Sequence, residues 1–388
     1  MAALRPLAEG DIPAVARLFS RVYPHAHWVS HSECEAYFHQ IFFGNPWLDP
    51  ELPSWLAHEG SRVVGFIGVV PRPMRYRGRS LRAAVVSQLM VDQERPNSTA
   101  AALLLRKALA GPQALTISDG ANDASRRMWE ALGGLNSALY SLQWRRLLRP
   151  AQFALQRVST RARTAAMLAK PIAVIADTYG AHRRSLRRPP ALRQEPLETA
   201  TWLEGLRRAA ARVAVAPEYD ATSLEWILAQ ARAKRRHGEL QSRLLRAPDG
   251  QICGWFLYYL NDSTCKVLQV YAREDSEHAV LEQLFHHAWA RGATALEGRM
   301  EPRLARALGE RHSLFLATSV YALLHARDPQ LLGALARGDA FFSRLEGEWW
   351  MRFTGEPVAV PSGAKALYDL VWRTRLAVQR ARHQPALP

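Results

Sequence analysis

Residues 85–134, VVSQLMVDQERPNSTAAALLLRKALAGPQALTISDGANDASRRMWEALGG, decide the fold class of this chain. The apolar and β-branched run over residues 85–91 predicts a strand. This strand ends in a polar turn that contains Pro96. Ser98 or Thr99 then caps a leucine-rich helix, which a Gly-Pro pair ends.

The second half of this stretch repeats the order of strand and helix. Residues 114–117 predict a short strand, and residues 122–132 predict a helix that Gly133 and Gly134 close. A helix that begins directly after a strand presents free backbone N–H groups and the positive end of its dipole. Such a helix start binds phosphate oxygens, so the pattern predicts an α/β protein with a site for a phosphate-bearing ligand.

Three short motifs in this stretch resemble the acyl-CoA-binding core of the GNAT acyltransferase superfamily. The family has a Leu-x-Val strand, then Arg-x-x-Gly-x-Gly/Ala opening a helix, then Asn-x-x-Ala-x-x-x-Tyr-x-x-x-Gly. The matching stretches here are Leu89-Met90-Val91, then Arg95-Pro96-Asn97-Ser98-Thr99-Ala100, then Asn122-Asp123-Ala124 with Trp129 and Gly133. Ser98 replaces the first loop glycine of the family, and Trp129 replaces its tyrosine.

The resemblance implies direct transfer of an acyl group from acetyl-CoA, or another acyl-CoA, to an amine. The coenzyme-binding set that it implies is Leu89, Met90, Val91, Arg95, Asn97, Ser98, Thr99, Ala100 and Asn122. Backbone groups of the strand would pair with the pantetheine arm and polarise the thioester carbonyl, and the loop N–H groups would bind pyrophosphate. A surface role for Arg95 and a helix-capping role for Asn122 are the alternatives.

The group that protonates the departing thiolate is not fixed by the sequence. Trp129 occupies the tyrosine position of the family, but an indole N–H does not titrate usefully, and its spacing with Leu132 also fits a core residue. Ser125, Tyr140 or water are the other candidates for this acid. No general base is identified.

Residues 23–59 hold a group of histidines and glutamates where the fold would place substrate-facing elements: His25, His27, His31, Glu33, Glu35, His39 and His58. A histidine serves as a base near neutral pH. His27, His31 and Glu35 share one helical face, but no recognised metal-ligand motif is present. We therefore favour a polar exposed face and expect no metal.

The C-terminal half repeats the N-terminal layout. In each half a polar turn leads into an apolar strand, with Gly65 and Gly254 at matching places, and Leu268-Gln269-Val270 mirrors Leu89-Met90-Val91. A helix over residues 277–290 follows. The sequence therefore predicts an α/β protein of the α+β type with two GNAT-like acyl-CoA N-acyltransferase folds in tandem, each a mixed, mostly antiparallel sheet flanked by helices.

Four parts of the chain follow from this repeat. Residues 1–145 form a GNAT-like acyl-CoA-binding domain, 146–195 a basic helical connector, 196–356 a degenerate second GNAT-like domain, and 357–388 a C-terminal tail or helix. In the second copy, Glu274, Asp275 and Glu277 crowd the start of the helix, where they satisfy its dipole and repel a pyrophosphate. Coenzyme binding is therefore expected in the first copy only.

Composition excludes several other classes of protein. A hydrophobic fraction of 48% and a charged fraction of 22% are typical of a globular protein rather than a disordered one. No apolar run approaches the ~20 residues of a membrane-spanning helix, and no secretory signal is visible. The three scattered cysteines, Cys34, Cys253 and Cys265, indicate a reducing compartment, so we expect a cytoplasmic protein.

The positive charge lies mainly in the middle of the chain. The net charge is +16, and residues 145–195 contribute 12 Lys or Arg against two Asp or Glu. This region is a connector with a solvated basic face, a peripheral contact with an anionic membrane, or a patch for an acidic polymer. No nucleic acid is expected, because no known binding motif accompanies the basic residues.

Three functions remain open at this point. The first is an N-acyltransferase, of which N-acetyl transfer to a small-molecule or polymer-linked amine is the favoured form. The second is an acyltransferase with a longer-chain or carrier-bound donor. The third is a catalytically silent binding or scaffold protein that kept the fold, which the replacements at Ser98 and Trp129 favour.

Overall fold

The computed structural model describes residues 2–24, 29–92, 99–158, 163–183, 192–261 and 264–351. The strands within these ranges are β1 Ala3–Pro6, β2 Trp55–Glu59, β3 Arg62–Pro71, β4 Met74–Tyr76, β5 Arg79–Leu81, β6 Ala83–Val91, β7 Leu115–Ala121, β8 Leu135–Asn136, β9 Leu142–Leu147, β10 Arg193–Glu195, β11 Val215–Pro217, β12 Glu239–Arg246, β13 Ile252–Leu260, β14 Thr264–Ala272, β15 Ala295–Arg299, β16 Leu314–Ala317 and β17 Tyr321–Ala326. The helices are α1 Ile12–Val22, α2 His31–Phe42, α3 Ala100–Leu109, α4 Asp123–Ala131, α5 Ala138–Ser141, α6 Pro150–Val158, α7 Arg163–Arg183, α8 Thr199–Ala210, α9 Ala221–Ala233, α10 Glu277–Ala290, α11 Ala305–Glu310 and α12 Pro329–Ala336.

Two seven-stranded sheets form the centre of the protein. The first has the order β1-β2-β3-β6-β7-β17-β8, and the second has the order β10-β12-β13-β14-β15-β9-β16. Each sheet contains one parallel pair, β6 with β7 and β14 with β15, and its other neighbouring strands are antiparallel. A small third sheet joins β11 to the β4–β5 hairpin. The expected α/β architecture with two mixed sheets is confirmed.

The two sheets exchange one strand each. β9 pairs with β15 of the second sheet, although it directly follows the N-terminal elements in the chain. β17 pairs with β7 of the first sheet, although it follows the second copy's helices. The predicted boundary near residue 145 therefore lies within a strand of the second sheet. The four domain ranges remain a prediction.

Helices cover both faces of the first sheet and make the platform for the site. On one face the ring of Phe38 in α2 meets the edge of Phe66 in β3, with 5.6 Å between ring centroids. On the other face Leu104 of α3 is fully buried with Ala57 and Val64 in a separate apolar cluster. The sheet is therefore fixed on both sides, which holds the ends of β6 and β7 in place.

Several local backbone conformations agree with the residues that adopt them. The Arg77-Gly78 turn joins β4 to β5 with both residues at positive φ, as a two-residue hairpin requires. α10 has the predicted bounds, and Gly133 ends α4 with a φ of 85°. The three cysteines are buried and free of disulfides. Within the described ranges, the helices are too short or too polar to cross a membrane.

Candidate active site

A gap opens in the first sheet between β6 and β7. The two parallel strands pair only through residues 83–85 and 115–117, yet β6 continues to Val91 and β7 continues to Ala121. We call the space between residues 86–91 and 118–121 the first gap. The facing backbone N–H and C=O groups do not pair across it, so they are available to a ligand or to other side chains.

The β6 side of this gap contains a β-bulge. The pairing of β6 with β3 slips between Phe66 and Gly68, and Gln88 lies at the slip with a φ of 56°. Its side-chain amide donates a hydrogen bond of 3.1 Å to the hydroxyl of Tyr37 in α2. A bulge bends its strand and re-aims the backbone groups beside it. Here the bulge lies in the part of β6 that does not pair with β7.

The structure places part of the predicted coenzyme set at this gap. Leu89 and Val91 are half-buried among the residues that pack under α3, and Met90 is buried on the opposite face. Thr99 and Ala100 open α3 a few residues after the strand ends. Arg95, Asn97 and Ser98 lie outside the described residues, so their roles remain predictions.

A buried carboxylate marks the end of β6. Asp92 accepts hydrogen bonds from Arg21 Nε at 3.1 Å and from Arg62 Nη2 at 2.7 Å. These arginines come from α1 and from the start of β3, so three elements meet where the strand leads toward α3. This ion-pair cluster fixes the direction in which the chain leaves the sheet.

Asn122, at the end of β7, caps the next helix. Its side-chain oxygen accepts a 2.9 Å hydrogen bond from the backbone N–H of Ser125. Asn122 is exposed and Ser125 is half-buried. The capping alternative from the sequence therefore describes the observed contact, and a contact with a ligand arm remains a prediction.

Trp129 and Tyr140 have different surroundings. The indole N–H of Trp129 donates a 3.0 Å hydrogen bond to the carbonyl of Leu324 in the exchanged strand β17, and the ring is buried. Its one donor is thus used inside the fold. The Tyr140 hydroxyl is buried with no hydrogen-bond partner among the described residues, and burial raises its pKa. Tyr140 packs edge-on against Phe342, with 5.1 Å between ring centroids.

A segment from the far end of the described chain reaches the first gap. We call residues 343–351 the crossing segment; it begins with a 3-10 helix, Arg344–Glu346. The carboxylate of Glu348 accepts hydrogen bonds from Ser118 Oγ at 2.6 Å and from the backbone N–H of Gly120 at 3.0 Å. Both donors belong to the β7 side of the gap. Glu348 is buried, so the crossing segment brings a carboxylate to the first gap.

Asp119 fastens the crossing segment to β7. One of its carboxylate oxygens accepts the backbone N–H groups of Glu348 and of Trp349, the latter at 2.9 Å. The other oxygen pairs with the buried guanidinium of Arg299 in β15. Asp119 therefore joins the first sheet, the crossing segment and the second sheet at one point.

A second anchor holds the crossing segment to the second copy. The carboxylate of Glu346 accepts hydrogen bonds from the hydroxyls of Tyr219 and Ser343 and from the amide of Gln269, at 2.6–3.0 Å. Gln269 in turn accepts the indole N–H of Trp255 at 2.7 Å. A buried carboxylate with this many donors is well compensated, so these contacts hold the crossing segment against the second copy.

The second sheet has a corresponding gap, and protein side chains fill it. β14 and β15 stop pairing after Lys266 and Glu297. The Arg344 guanidinium enters there and donates to the carbonyls of Val267 at 3.4 Å and Glu297 at 3.2 Å, one from each strand. We call this space the second gap.

An ion-pair cluster occupies the second gap beside Arg344. The Glu297 carboxylate binds Lys266 Nζ and Arg145 Nη2, both at 2.6 Å. Burial alone would raise the pKa of Glu297, but Lys266, Arg145 and Arg344 together hold it at about 2. The second gap therefore has an internal occupant, unlike the β6 side of the first gap.

A buried lysine from the second copy lies near the bulge. Lys234 Nζ lies 4.8 Å from the ring of Tyr37, the residue that accepts from Gln88, and 3.5 Å from the carbonyl of Met351. Burial lowers the pKa of Lys234 to about 8. The region beyond Gln88 is thus bounded by residues of both copies.

The histidine-rich segment does not form a metal centre in the described ranges. His31 pairs with Glu35 at 3.1 Å on an exposed face of α2, and His39 pairs with Glu9. His25 and His27 lie outside the described residues. No cluster of three or more His, Cys, Asp or Glu with metal-site geometry is found among the residues that the structure describes.

The sequence reasoning missed Glu348. Its distance from Ser118 in the chain is 230 residues, and strand exchange is what brings the two together. The available signal was local: a glutamate between a glycine and two tryptophans, which is an unusual place for an exposed charge.

No protein-family model and no curated protein matches the chain. Solved structures do match it. The GCN5-related N-acetyltransferase of Anabaena variabilis superposes with a TM-score of 0.56 at 10% identity, over 84% of this chain and 73% of that one. A conserved protein of Enterococcus faecalis gives 0.55 at 9% identity with the same coverages. The GCN5-related N-acetyltransferase of Kribbella flavida gives 0.51 at 15% identity, over 86% and 73%.

These likenesses concern the fold. Together with the two seven-stranded sheets, each with one parallel pair, they show a GNAT-like fold, and the two sheets are consistent with a tandem arrangement of it.

Proposed function

We propose that this protein is an N-acyltransferase that moves an acyl group from acyl-CoA to an amine by direct transfer in the first gap. Acetyl-CoA is the favoured donor. The observation that carries the proposal is the Glu348 carboxylate, which the crossing segment holds at the first gap opposite the bulged strand. The fold of the structural neighbours supports the same class of reaction without fixing the substrate.

The first gap fits an acyl-CoA arm. An extended amide-containing chain needs backbone partners along one side, and the unpaired end of β6 at Met90 and Val91 offers them. The start of α3 follows this strand, which supports pyrophosphate binding by its N–H groups, with Arg95 nearby as the sequence predicts. Experiment distinguishes acetyl-CoA from donors with longer acyl chains and from carrier-bound donors.

Glu348 acts as the general base. An ammonium substrate must lose a proton before its nitrogen attacks the thioester carbonyl carbon, and a carboxylate within hydrogen-bond reach accepts that proton. Ser118 and Gly120 donate to one oxygen of Glu348, and this holds the other oxygen in a defined direction. The neutral amine then attacks the carbonyl carbon, the new C–N bond forms as the C–S bond breaks, and the second proton that the nitrogen loses leaves to water.

The leaving thiolate takes a proton from a donor near the gap or from water. Tyr140 and Ser125 remain the predicted donors, and burial keeps the Tyr140 hydroxyl protonated by raising its pKa. Trp129 is not assigned this step, because its N–H already binds Leu324. A thiolate is a fair leaving group, so the reaction tolerates a weak acid here.

The filled second gap supports a single coenzyme site. Arg344 and the Glu297 cluster take the positions that a ligand arm would need in the second copy. The second copy then serves the first by supplying the crossing segment. This assignment agrees with the acidic residues at the start of α10, which would repel a pyrophosphate.

Calorimetric titration with acetyl-CoA, followed by thiol release on a panel of amines, tests the proposal. We expect micromolar binding and turnover on at least one amine. Octanoyl-CoA in the same assay separates a short-chain from a long-chain enzyme. Tight binding of either donor with no turnover on any amine would favour the silent-scaffold alternative. Absence of binding by every donor would overturn the proposal.

A further inference from the structure

The helical hairpin α6–α7 projects one face of α7 into solvent. On its inner face, the carboxylate of Asp177 accepts the backbone N–H groups of Ala151 and Gln152, both at 2.9 Å, at the start of α6. Ala173, one turn earlier, is buried on the same side. These contacts fix the rotation of α7 about its axis.

The outer face of α7 carries a row of large apolar side chains. Leu168, Ile172, Ile175 and Tyr179 are 77%, 71%, 70% and 62% exposed. Their spacing of four, three and four residues places them on one side of a helix, and we call them the apolar stripe. With Val174, α7 holds five of the nine exposed large hydrophobic residues found in the described ranges. A concentration of this kind marks an interaction surface.

The stretch of sequence that contains the stripe is strongly basic. Residues 145–195 carry 12 Lys or Arg against two acidic residues. Both acids are engaged: Asp177 caps α6, and Glu195 binds Arg246 at 2.9 Å. A second copy of this chain would bring the same positive charge to the stripe, so self-association through this face is opposed. An anionic partner is favoured.

We propose that α7 lies along the surface of an anionic lipid bilayer, with the apolar stripe in the interfacial region. The stripe spans about 17 Å at a rise of ~1.5 Å per residue, and its side chains are exposed along that length, as contact with a planar surface requires. A helix that is apolar on one side and basic in its flanks binds in this way, parallel to the membrane. The proposal is independent of the acyl-transfer reaction.

Co-sedimentation of the full chain with sucrose-loaded vesicles tests the proposal. We expect binding to vesicles of phosphatidylcholine mixed with phosphatidylglycerol, little binding to phosphatidylcholine alone, and weakening with salt as electrostatic screening grows. The paired substitution Ile172→Ser and Ile175→Ser should lower vesicle affinity at least about tenfold, because two apolar side chains no longer enter the interface.

The matched control is the pair Leu314→Ser and Phe315→Ser on β16, which are also exposed apolar residues but lie outside the hairpin. We expect this control to bind as the wild type does, and all three proteins to share one melting temperature. Failure of the wild type to bind anionic vesicles at low salt would overturn the proposal. So would equal binding by the α7 variant, or stripe-dependent binding to polyglutamate in place of lipid.

Discussion

Arg344 and Glu348 lie four positions apart on the crossing segment, yet their charged groups enter gaps in two different sheets. Arg344 bridges the carbonyls of Val267 and Glu297 in the second sheet. Glu348 binds Ser118 and Gly120 in the first sheet. One short segment thus fills the gap of one copy and supplies a carboxylate to the gap of the other.

Replacing Arg344 by Met is expected to destabilise the protein by about 3 kcal/mol, because it removes one partner from a buried ion-pair cluster. Lys266 and Arg145 stay on Glu297, which limits the loss. Urea unfolding measures this loss of stability, and the substitution Arg232→Met at an exposed position is the control. The affinity for acetyl-CoA should not change, since the second gap is not a coenzyme site. A loss of binding with unchanged stability would contradict this assignment.

Gln88 is expected to tolerate glycine better than valine. Its φ of 56° is strained for a β-branched residue and easy for glycine. Gln88→Val should lower the free energy of unfolding by about 1–3 kcal/mol and weaken acetyl-CoA binding, as the bulge straightens. Gln88→Gly should retain binding. Equal affinities for both variants, measured by calorimetry, would show that the bulge does not shape the site.

Trp129→Phe is expected to affect stability and not catalysis. The change removes the buried hydrogen bond to the Leu324 carbonyl, at a cost of about 1 kcal/mol. The turnover number should stay within about twofold of wild type, because a residue that does not contact the reacting atoms leaves the activation free energy unchanged. A large fall in turnover with unchanged stability would restore a catalytic role for Trp129.

Glu301 gives the protein a pH-dependent stability. Burial raises the pKa of Glu301 to about 7, against the opposing effect of Arg303. The folded state thus favours the protonated acid, and this contribution is complete below pH ~4.5 and lost as pH rises through 7. The free energy of unfolding of Glu301→Gln minus that of the wild type should therefore be higher at pH 8 than at pH 4.5, by up to roughly 3 kcal/mol. A difference between the two proteins that does not vary with pH would contradict this.

The sequence predicted the elements whose signals are local. Asn122 caps α4, Gly133 ends it, and α10 occupies residues 277–290, because each depends on capping, backbone freedom or apolar spacing within one turn. The two-copy layout also followed from repeated local order. These features require no knowledge of which distant strand lies alongside.

Neither the strand exchange nor the general base Glu348 could be predicted from the sequence, and the physical reason is the same for both. β9 and β17 are short strands of six residues, and nothing in LQWRRL or YALLHA says which sheet they join. Glu348 gains its position only after β17 returns the chain to the first sheet. The predicted proton donors Trp129, Ser125 and Tyr140, by contrast, lie close in the sequence to the coenzyme motif. A protein with a single copy of the fold would take its proton donor from that region.

The rate of thiol release by Glu348→Gln tests the central claim most directly. The glutamine amide oxygen still accepts from Ser118 and Gly120, so the fold and the affinity for acetyl-CoA should persist while proton acceptance is lost. We predict a fall in turnover number of about 100-fold or more at neutral pH, with exposed Glu225→Gln unchanged. Wild-type turnover by Glu348→Gln would contradict the account and leave the carboxylate a structural tie of the crossing segment.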